Sequence, residues 1–144
     1  VAGMAIGLGQ AALDMTRALL SEEGYEDKFG GSMHQQTAVQ YELEMLEAEL
    51  EAARLLVYKS AWMMDNKMPN SKEASMGKAK AGRIGNRISL KCVEICSMQG
   101  FSEEHLLEKF SRDSKILDIF EGTQQIQQLI VARQVLGKSS SDLK

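Results

Sequence analysis

The sequence predicts an all-α fold: an antiparallel up-down four-helix bundle with a short extra helix. Apolar residues recur at intervals of three and four along each long segment, which is the pattern of an amphipathic helix. No long segment shows the strict alternation that is typical of a half-buried strand. Of the 144 residues, 6% are aromatic, nine are methionine and one is proline, a composition that suits helices packed through small and flexible apolar side chains.

The first two predicted helices are joined by a loop rich in glycine. The first helix covers residues 1 to about 20, and the loop covers residues 21–31. The second helix covers residues 34–66 and ends where Pro69 and its neighbours break the pattern. Its expected buried stripe consists of Val39, Leu43, Leu46, Leu50, Ala53 and Val57.

The third predicted helix begins near Ser71, a good N-cap, and ends near Ser97. Its inward positions are dominated by small residues in the first half, so another helix can approach it closely. They are Ala74, Gly77, Ala81 and Gly85. Whether this face packs inside the bundle or against another subunit stays open at this point.

Two further helices complete the prediction. Ser102 starts the short extra helix, which reaches about Phe110. Thr123 caps the last helix, which ends at Gly137. Residues 1–137 are therefore expected to form the folded domain, and the serine-rich residues 138–144 a disordered tail.

Charge and cysteine content narrow the class of protein. A net charge of −3 and an isoelectric point of about 5.5 argue against a nucleic-acid partner. No apolar run approaches the roughly 20 residues of a membrane span. Cys92 and Cys96 lie four apart in a helical stretch, far from both histidines, which favours reduced, partly buried thiols over a metal or redox pair. The expected setting is a reducing aqueous compartment: the cytoplasm, or the mitochondrial matrix if the source is eukaryotic.

Residues 112–133 hold the densest set of chemically useful side chains, reading RDSKILDIFEGTQQIQQLIVAR. Glu121 stands beside Phe120 and just before Gly122 and Thr123, at the start of a predicted helix. Partial desolvation there would raise the pKa of the carboxyl toward values useful for a general base. Free backbone N–H groups at the helix start could hold a developing oxyanion. Spacing alone equally permits an acid that only offsets the helix dipole.

This stretch resembles the C-terminal signature of the acyl-CoA dehydrogenase family, and the resemblance extends over nearly the whole chain. The segments that resemble the first three helices of that family's C-terminal domain are VAGMAIGLGQAALD, YELEMLEAELEAARLLVYKSAW and EASMGKAKAGRIGNRIS. Phe29-Gly30 matches the Phe-Gly that follows the first of these helices.

The resemblance implies the C-terminal bundle of a flavin enzyme that oxidises an acyl-CoA thioester to the trans-2-enoyl-CoA. Glu121 matches the base that removes the α-proton while FAD accepts a hydride from the β-carbon; Phe120 and Gly122 would contact the substrate. The cofactor contacts that the resemblance implies are Phe29, Thr123 and Gly100. Electrons would pass to an electron-transfer flavoprotein, and bundles would meet at the centre of a dimer of dimers. This chain alone is not expected to turn over substrate.

Some positions depart from the family pattern where it holds FAD across subunits. Glu26 replaces an arginine, Thr37 and Glu94 replace glutamines, and Ser97 and Met98 replace a glycine pair. Added carboxylates repel a diphosphate, and Lys28 is the nearest compensating cation in sequence. Two alternatives therefore remain: a non-catalytic assembly domain or divergent subunit of a hetero-oligomeric acyl-CoA dehydrogenase, and an acyl-CoA oxidase relative.

Overall fold

The computed structural model describes residues 1–25 and 33–142, without the side chain of Met33. Its α-helices are α1 (Ala2–Glu22), α2 (Ala38–Asp65), α3 (Ser71–Phe101), α4 (Leu107–Ile119) and α5 (Gln124–Leu136). Two 3₁₀ turns, Met33–Gln35 and Ser140–Asp142, lie outside them. The described residues contain no strand, and the all-α prediction is confirmed.

Helices α1 to α4 run up, down, up and down, and α3 contacts each of the other helices. The directions follow from side chains that meet across neighbouring helices. These pairs are Arg17–Glu47 and Gln10–Arg54 between α1 and α2, Arg87–Glu49 and Gly77–Val57 between α3 and α2, and Asn86–Ser114 and Lys78–Asp118 between α3 and α4.

The bundle is completed by α4 and not by the last helix. The sequence predicted a short helix from Ser102 to about Phe110 and the next helix from Thr123, whereas α4 occupies Leu107–Ile119. Leu107 and Leu117 are buried in the core, and Phe110 packs partly against it. The charged residues of α4 lie on the opposite side of the helix. They make its apolar stripe difficult to recognise in the sequence. By contrast α5 lies along the outside of α3 and has no buried residue.

The core lies where α1, α2 and α3 meet. The predicted stripe of α2 is confirmed, with Leu43, Leu46 and Leu50 almost fully buried. The largest fully buried side chains are Leu13, Leu43, Leu46, Leu50, Ile84, Ile88 and Leu107. Their spacing of three and four places them on one side of each helix, so water is excluded from all of them together.

The small residues of α3 pack inside the bundle. A β-carbon on Gly77 would lie 3.3 Å from Val57 of α2, and one on Gly85 would lie 2.8 Å from the Ala5 carbonyl oxygen of α1. Ala81 is fully buried between them, and only Ala74 of the predicted face is exposed. This face therefore allows close packing of helices within one chain.

Cys92 and Cys96 are free thiols that lie beside Thr16; the sequence predicted partial burial, whereas both are buried. Burial raises the pKa of the Cys92 thiol to about 11, and it also raises the pKa of Cys96. Both thiols are therefore protonated near neutral pH and poorly nucleophilic. None of the described helices combines the length and apolarity needed to cross a bilayer.

Candidate active site at the α4–α5 turn

Residues 120–123 join α4 to α5 without reversing the chain. Helix α4 ends at Ile119 and is followed by Phe120, whose backbone is extended; Thr123 caps α5 by accepting a hydrogen bond from Ile126 N–H at 3.4 Å. The Gln124 side chain donates to the Ala79 carbonyl of α3 at 3.4 Å. Both α4 and α5 thus run antiparallel to α3, and the turn is a break between them opposite the first third of α3.

Glu121 lies in this break in a left-handed backbone conformation. Its φ is +57°, and Gly122 follows with φ +99°. A positive φ is uncommon for a residue with a β-carbon and persists only where the surrounding structure holds it. Among the described residues no hydrogen-bond acceptor faces the Glu121 N–H. The turn thus presents a carboxylate and a backbone donor on one residue.

Lys78 of α3 holds the turn through hydrogen bonds to its backbone. Its Nζ donates to the Asp118 carbonyl at 3.0 Å and to the Gly122 carbonyl at 2.6 Å, and the side chain is 8% exposed. Burial lowers the pKa of Lys78, and the Asp118 carboxylate partly offsets this. The Gln127 amide adds a hydrogen bond to the Glu121 carbonyl at 3.3 Å. Sequence reasoning missed Lys78; its position between Gly77 and Ala81 on the inward face was the available signal.

The environment of Glu121 differs from the expected one. The sequence predicted a half-desolvated carboxyl, whereas Glu121 is exposed in this chain. Phe120, the neighbour that was expected to desolvate it, packs its ring partly against the core. Among the described residues, none covers the Glu121 side chain enough to bury it.

Of the positions predicted to contact FAD, Thr123 lies two residues from Glu121, whereas Thr37, Glu94 and Gly100 lie on other parts of the fold and have structural partners. Thr37 caps α2, accepting from Gln40 N–H at 3.1 Å, and its hydroxyl lies 2.8 Å from that of Tyr25. Glu94 is exposed and pairs with Lys91 at 2.6 Å. Gly100 is buried, and a β-carbon there would collide with the Val93 carbonyl. Each of these residues has a role in folding or surface pairing.

The backbone near the end of α3 is strained. Ser97 has φ +49° and ψ −122°, outside helical values, and Met98 is 87% exposed. At 1.5 Å per residue, this point lies about 28 Å along α3 from Lys78. Glu26, Lys28 and Phe29 lie outside the described residues.

The donor set at this end of α3 does not fit a diphosphate. Of its described polar side chains, Lys91 already pairs with Glu94, and Ser97 and Gln99 carry no charge. A diphosphate requires cationic or N–H donors. The structure therefore places Glu121, Gly122 and Thr123 together, and leaves Thr37, Glu94 and Gly100 apart from them.

Comparison with known sequences decides the family. The family model described as acyl-CoA dehydrogenase, C-terminal domain, matches residues 1–136. The chain belongs to the acyl-CoA dehydrogenase family. That family is flavin-dependent.

Individual relatives of this acyl-CoA dehydrogenase domain agree. The probable acyl-CoA dehydrogenase YngJ of Bacillus subtilis is 35% identical over 136 residues, which cover 94% of this chain and 35% of YngJ. The caffeyl-CoA reductase-Etf complex subunit CarC of Acetobacterium woodii is 38% identical over 138 residues, covering 96% of this chain and 36% of CarC. Butyryl-CoA dehydrogenase from Megasphaera elsdenii has a similar structure, with a TM-score of 0.70 and 29% identity over 94% of this chain and 36% of that one. The chain spans about a third of the length of these relatives.

Proposed function

We propose that this chain is the C-terminal domain of an acyl-CoA dehydrogenase in which Glu121 is the base that removes the α-proton of the acyl-CoA thioester. The observation that carries the proposal is the conformation of Glu121. Glu121, which lies in the family signature, has φ +57° and is exposed in the turn between α4 and α5. A helix-capping acid requires no such backbone, because Thr123 already caps α5.

The proposed step is a proton transfer from carbon to the Glu121 carboxylate. The thioester carbonyl makes the α-hydrogen acidic, and a donor to its oxygen stabilises the charge that develops there. The N–H of Glu121 has no acceptor among the described residues and is free to donate to that oxygen. In the complete enzyme a bound flavin would supply the acceptor for the β-hydride, and Phe120 and Gly122 would border the acyl thioester.

The substrate and the remaining walls of the site come from outside this chain. Glu121 is exposed, so a dry site requires further domains or the bound acyl-CoA itself to exclude water. This cover would also remove water from around the carboxylate and so strengthen its interactions with the substrate.

Assembly and electron transfer follow as further parts of the proposal. The end of α3 that does not fit a diphosphate favours a hetero-oligomer, in which a partner chain contributes the cationic contacts to FAD. The half-exposed Ile126 and Leu129 of α5 suit burial in a dimer of dimers. The likeness to CarC, named as a subunit of an Etf complex, supports an electron-transfer flavoprotein as the acceptor. We place the enzyme in the cytoplasm, or in the mitochondrial matrix of a eukaryote.

The test is Glu121→Gln in the full-length enzyme. Glutamine has nearly the same shape but cannot accept the proton, so turnover should fall by about 10²- to 10⁴-fold. The measurements are acyl-CoA-dependent bleaching of the flavin and exchange of the α-proton with D₂O. Glu103→Gln, an exposed glutamate in the link between α3 and α4, is the matched control and should keep full activity.

Each alternative has its own outcome. Full activity in Glu121→Gln would assign the base to another residue. Absence of flavin and turnover in the unaltered protein would favour a non-catalytic assembly domain. Stoichiometric hydrogen peroxide in air, without an electron-transfer flavoprotein, would identify an acyl-CoA oxidase relative.

A further inference from the structure

Lys78 donates hydrogen bonds to backbone carbonyls on both sides of Glu121, the residue that carries the proposed chemistry. One of its hydrogen bonds goes to the Asp118 carbonyl, three residues before Glu121, at 3.0 Å. The other goes to the Gly122 carbonyl, one residue after Glu121, at 2.6 Å. Carbonyls at the end of a helix such as α4 lack partners within that helix. A single ammonium group thus supplies donors on either side of the break.

Burial distinguishes Lys78 from its neighbours on α3. Its side chain is 8% exposed, whereas Lys80 extends toward the surface and pairs with Glu49 of α2 at 3.6 Å. Burying an ammonium group is costly unless hydrogen bonds and nearby charge compensate. The two carbonyls and the carboxylate of Asp118 provide that compensation. A purely structural position in this bundle could be filled at lower cost by an apolar residue.

A glycine one turn further along α3 brings the helix close to the same segment. A β-carbon on Gly82 would lie 3.1 Å from both Cα and Oδ1 of Asp118. The Asp118 Oδ1 atom is buried and has no hydrogen-bond partner, while Oδ2 accepts from Lys115 at 3.2 Å. The close approach of α3 at Gly82 and the hydrogen bond from Lys78 therefore both fix the position of Asp118.

We propose that Lys78 is a positioning residue that holds the Glu121 carboxylate at the geometry of proton abstraction through the carbonyls of Asp118 and Gly122. The inference rests on the proposed function of Glu121. Lys78 does not touch the substrate in this arrangement. Its removal should therefore slow the chemical step and leave the binding of acyl-CoA almost unchanged.

The experiment compares Lys78→Met with Lys80→Met in the full-length enzyme. Methionine fills much of the buried stem of Lys78 but removes all of its donors. A displacement of about 1 Å at a reacting group costs up to 10²-fold in rate. We expect kcat to fall about 10- to 100-fold in Lys78→Met, with KM within about twofold, and neither value to change in Lys80→Met.

A double variant separates positioning from a general structural role. In the Glu121→Gln background, Lys78→Met should cause no further loss, because residues that act as a unit are not additive. Equal loss in both backgrounds would overturn the inference, as would an unchanged kcat in Lys78→Met. If Glu121→Gln is fully active, the proposed function fails by itself, whatever Lys78 does.

Two further readouts cover the case in which Lys78→Met does not fold and the case in which the enzyme does not turn over: the first needs no lysine variant, and the second needs no turnover. The β-carbon added by Gly82→Ala should displace Asp118. It should therefore lower kcat at least threefold, and it should cause no further loss in the Glu121→Gln background. Hydrogen–deuterium exchange of residues 118–124 should accelerate in Lys78→Met but not in Lys80→Met. A folded Gly82→Ala enzyme with unchanged kcat, or unchanged exchange in Lys78→Met, would refute the positioning role.

Discussion

Gly85→Ala tests the closest approach of two helices in the bundle. The added β-carbon would lie 2.8 Å from the Ala5 carbonyl oxygen, where ordinary contacts begin at 3.4 Å. The obstacle is backbone within α1, so a side-chain rotation cannot relieve it. Helices α1 and α3 would have to separate by several tenths of an ångström beside Gly9, Ile88 and Leu50, which pack at the same crossing.

The expected magnitude comes from two opposing effects. Overpacking of a well-packed core costs about 1–3 kcal/mol, and a backbone obstacle places this case at the upper end. Alanine recovers about 1 kcal/mol through its higher helix propensity. Gly85→Ala should therefore lower the free energy of unfolding by about 2 kcal/mol. Gly7→Ala on α1 is the matched control: nothing lies within 4 Å of its β-carbon, so only the gain of about 1 kcal/mol applies.

Urea unfolding followed by far-ultraviolet circular dichroism measures the difference. With an m-value of about 2 kcal/mol/M, the midpoint of Gly85→Ala should fall by about 1 M, and that of Gly7→Ala should rise by about 0.5 M. Equal stability of the two variants would refute the reasoning, because it would mean that α1 and α3 do not meet at Gly85.

Two other predictions concern the end of α3 and the buried thiols. Ser97→Gly should raise the free energy of unfolding by about 1 kcal/mol, because φ +49° with ψ −122° suits glycine and the strain relieved exceeds the entropy cost of glycine. Ser97→Ala is the control, because it keeps the β-carbon. An equal gain in the urea unfolding of Ser97→Ala would exclude strain as the cause. Since the pKa of Cys92 is raised from 9.0 to about 11, the native state binds more protons than the unfolded state above pH 9, and stability should fall by about 2 kcal/mol between pH 9 and 11. Cys92→Ala should abolish most of that fall in unfolding experiments at pH 8 and 10.5, and an undiminished fall would assign it to other groups.

The amphipathic helices were predictable because their signal is local. Leu43, Leu46 and Leu50 repeat at three and four, and each is buried where the pattern places it. The left-handed end of α5 at Gly137 and its cap at Thr123 follow equally from single residues. The family signature around Glu121 likewise lies in one continuous segment, so the sequence alone pointed to the family and to the candidate base.

The tertiary structure decided what depends on distant partners. Two short helices follow α3, and only packing against α1 and α3 selects α4 to complete the bundle, because its buried leucines lie ten residues apart among charges. Lys78 reads in sequence as one more charged residue of a helix, yet it is buried against a turn 40 and 44 residues further along. The Glu121 backbone takes its left-handed conformation within that contact, since an unfavourable φ persists only where long-range hydrogen bonds hold it.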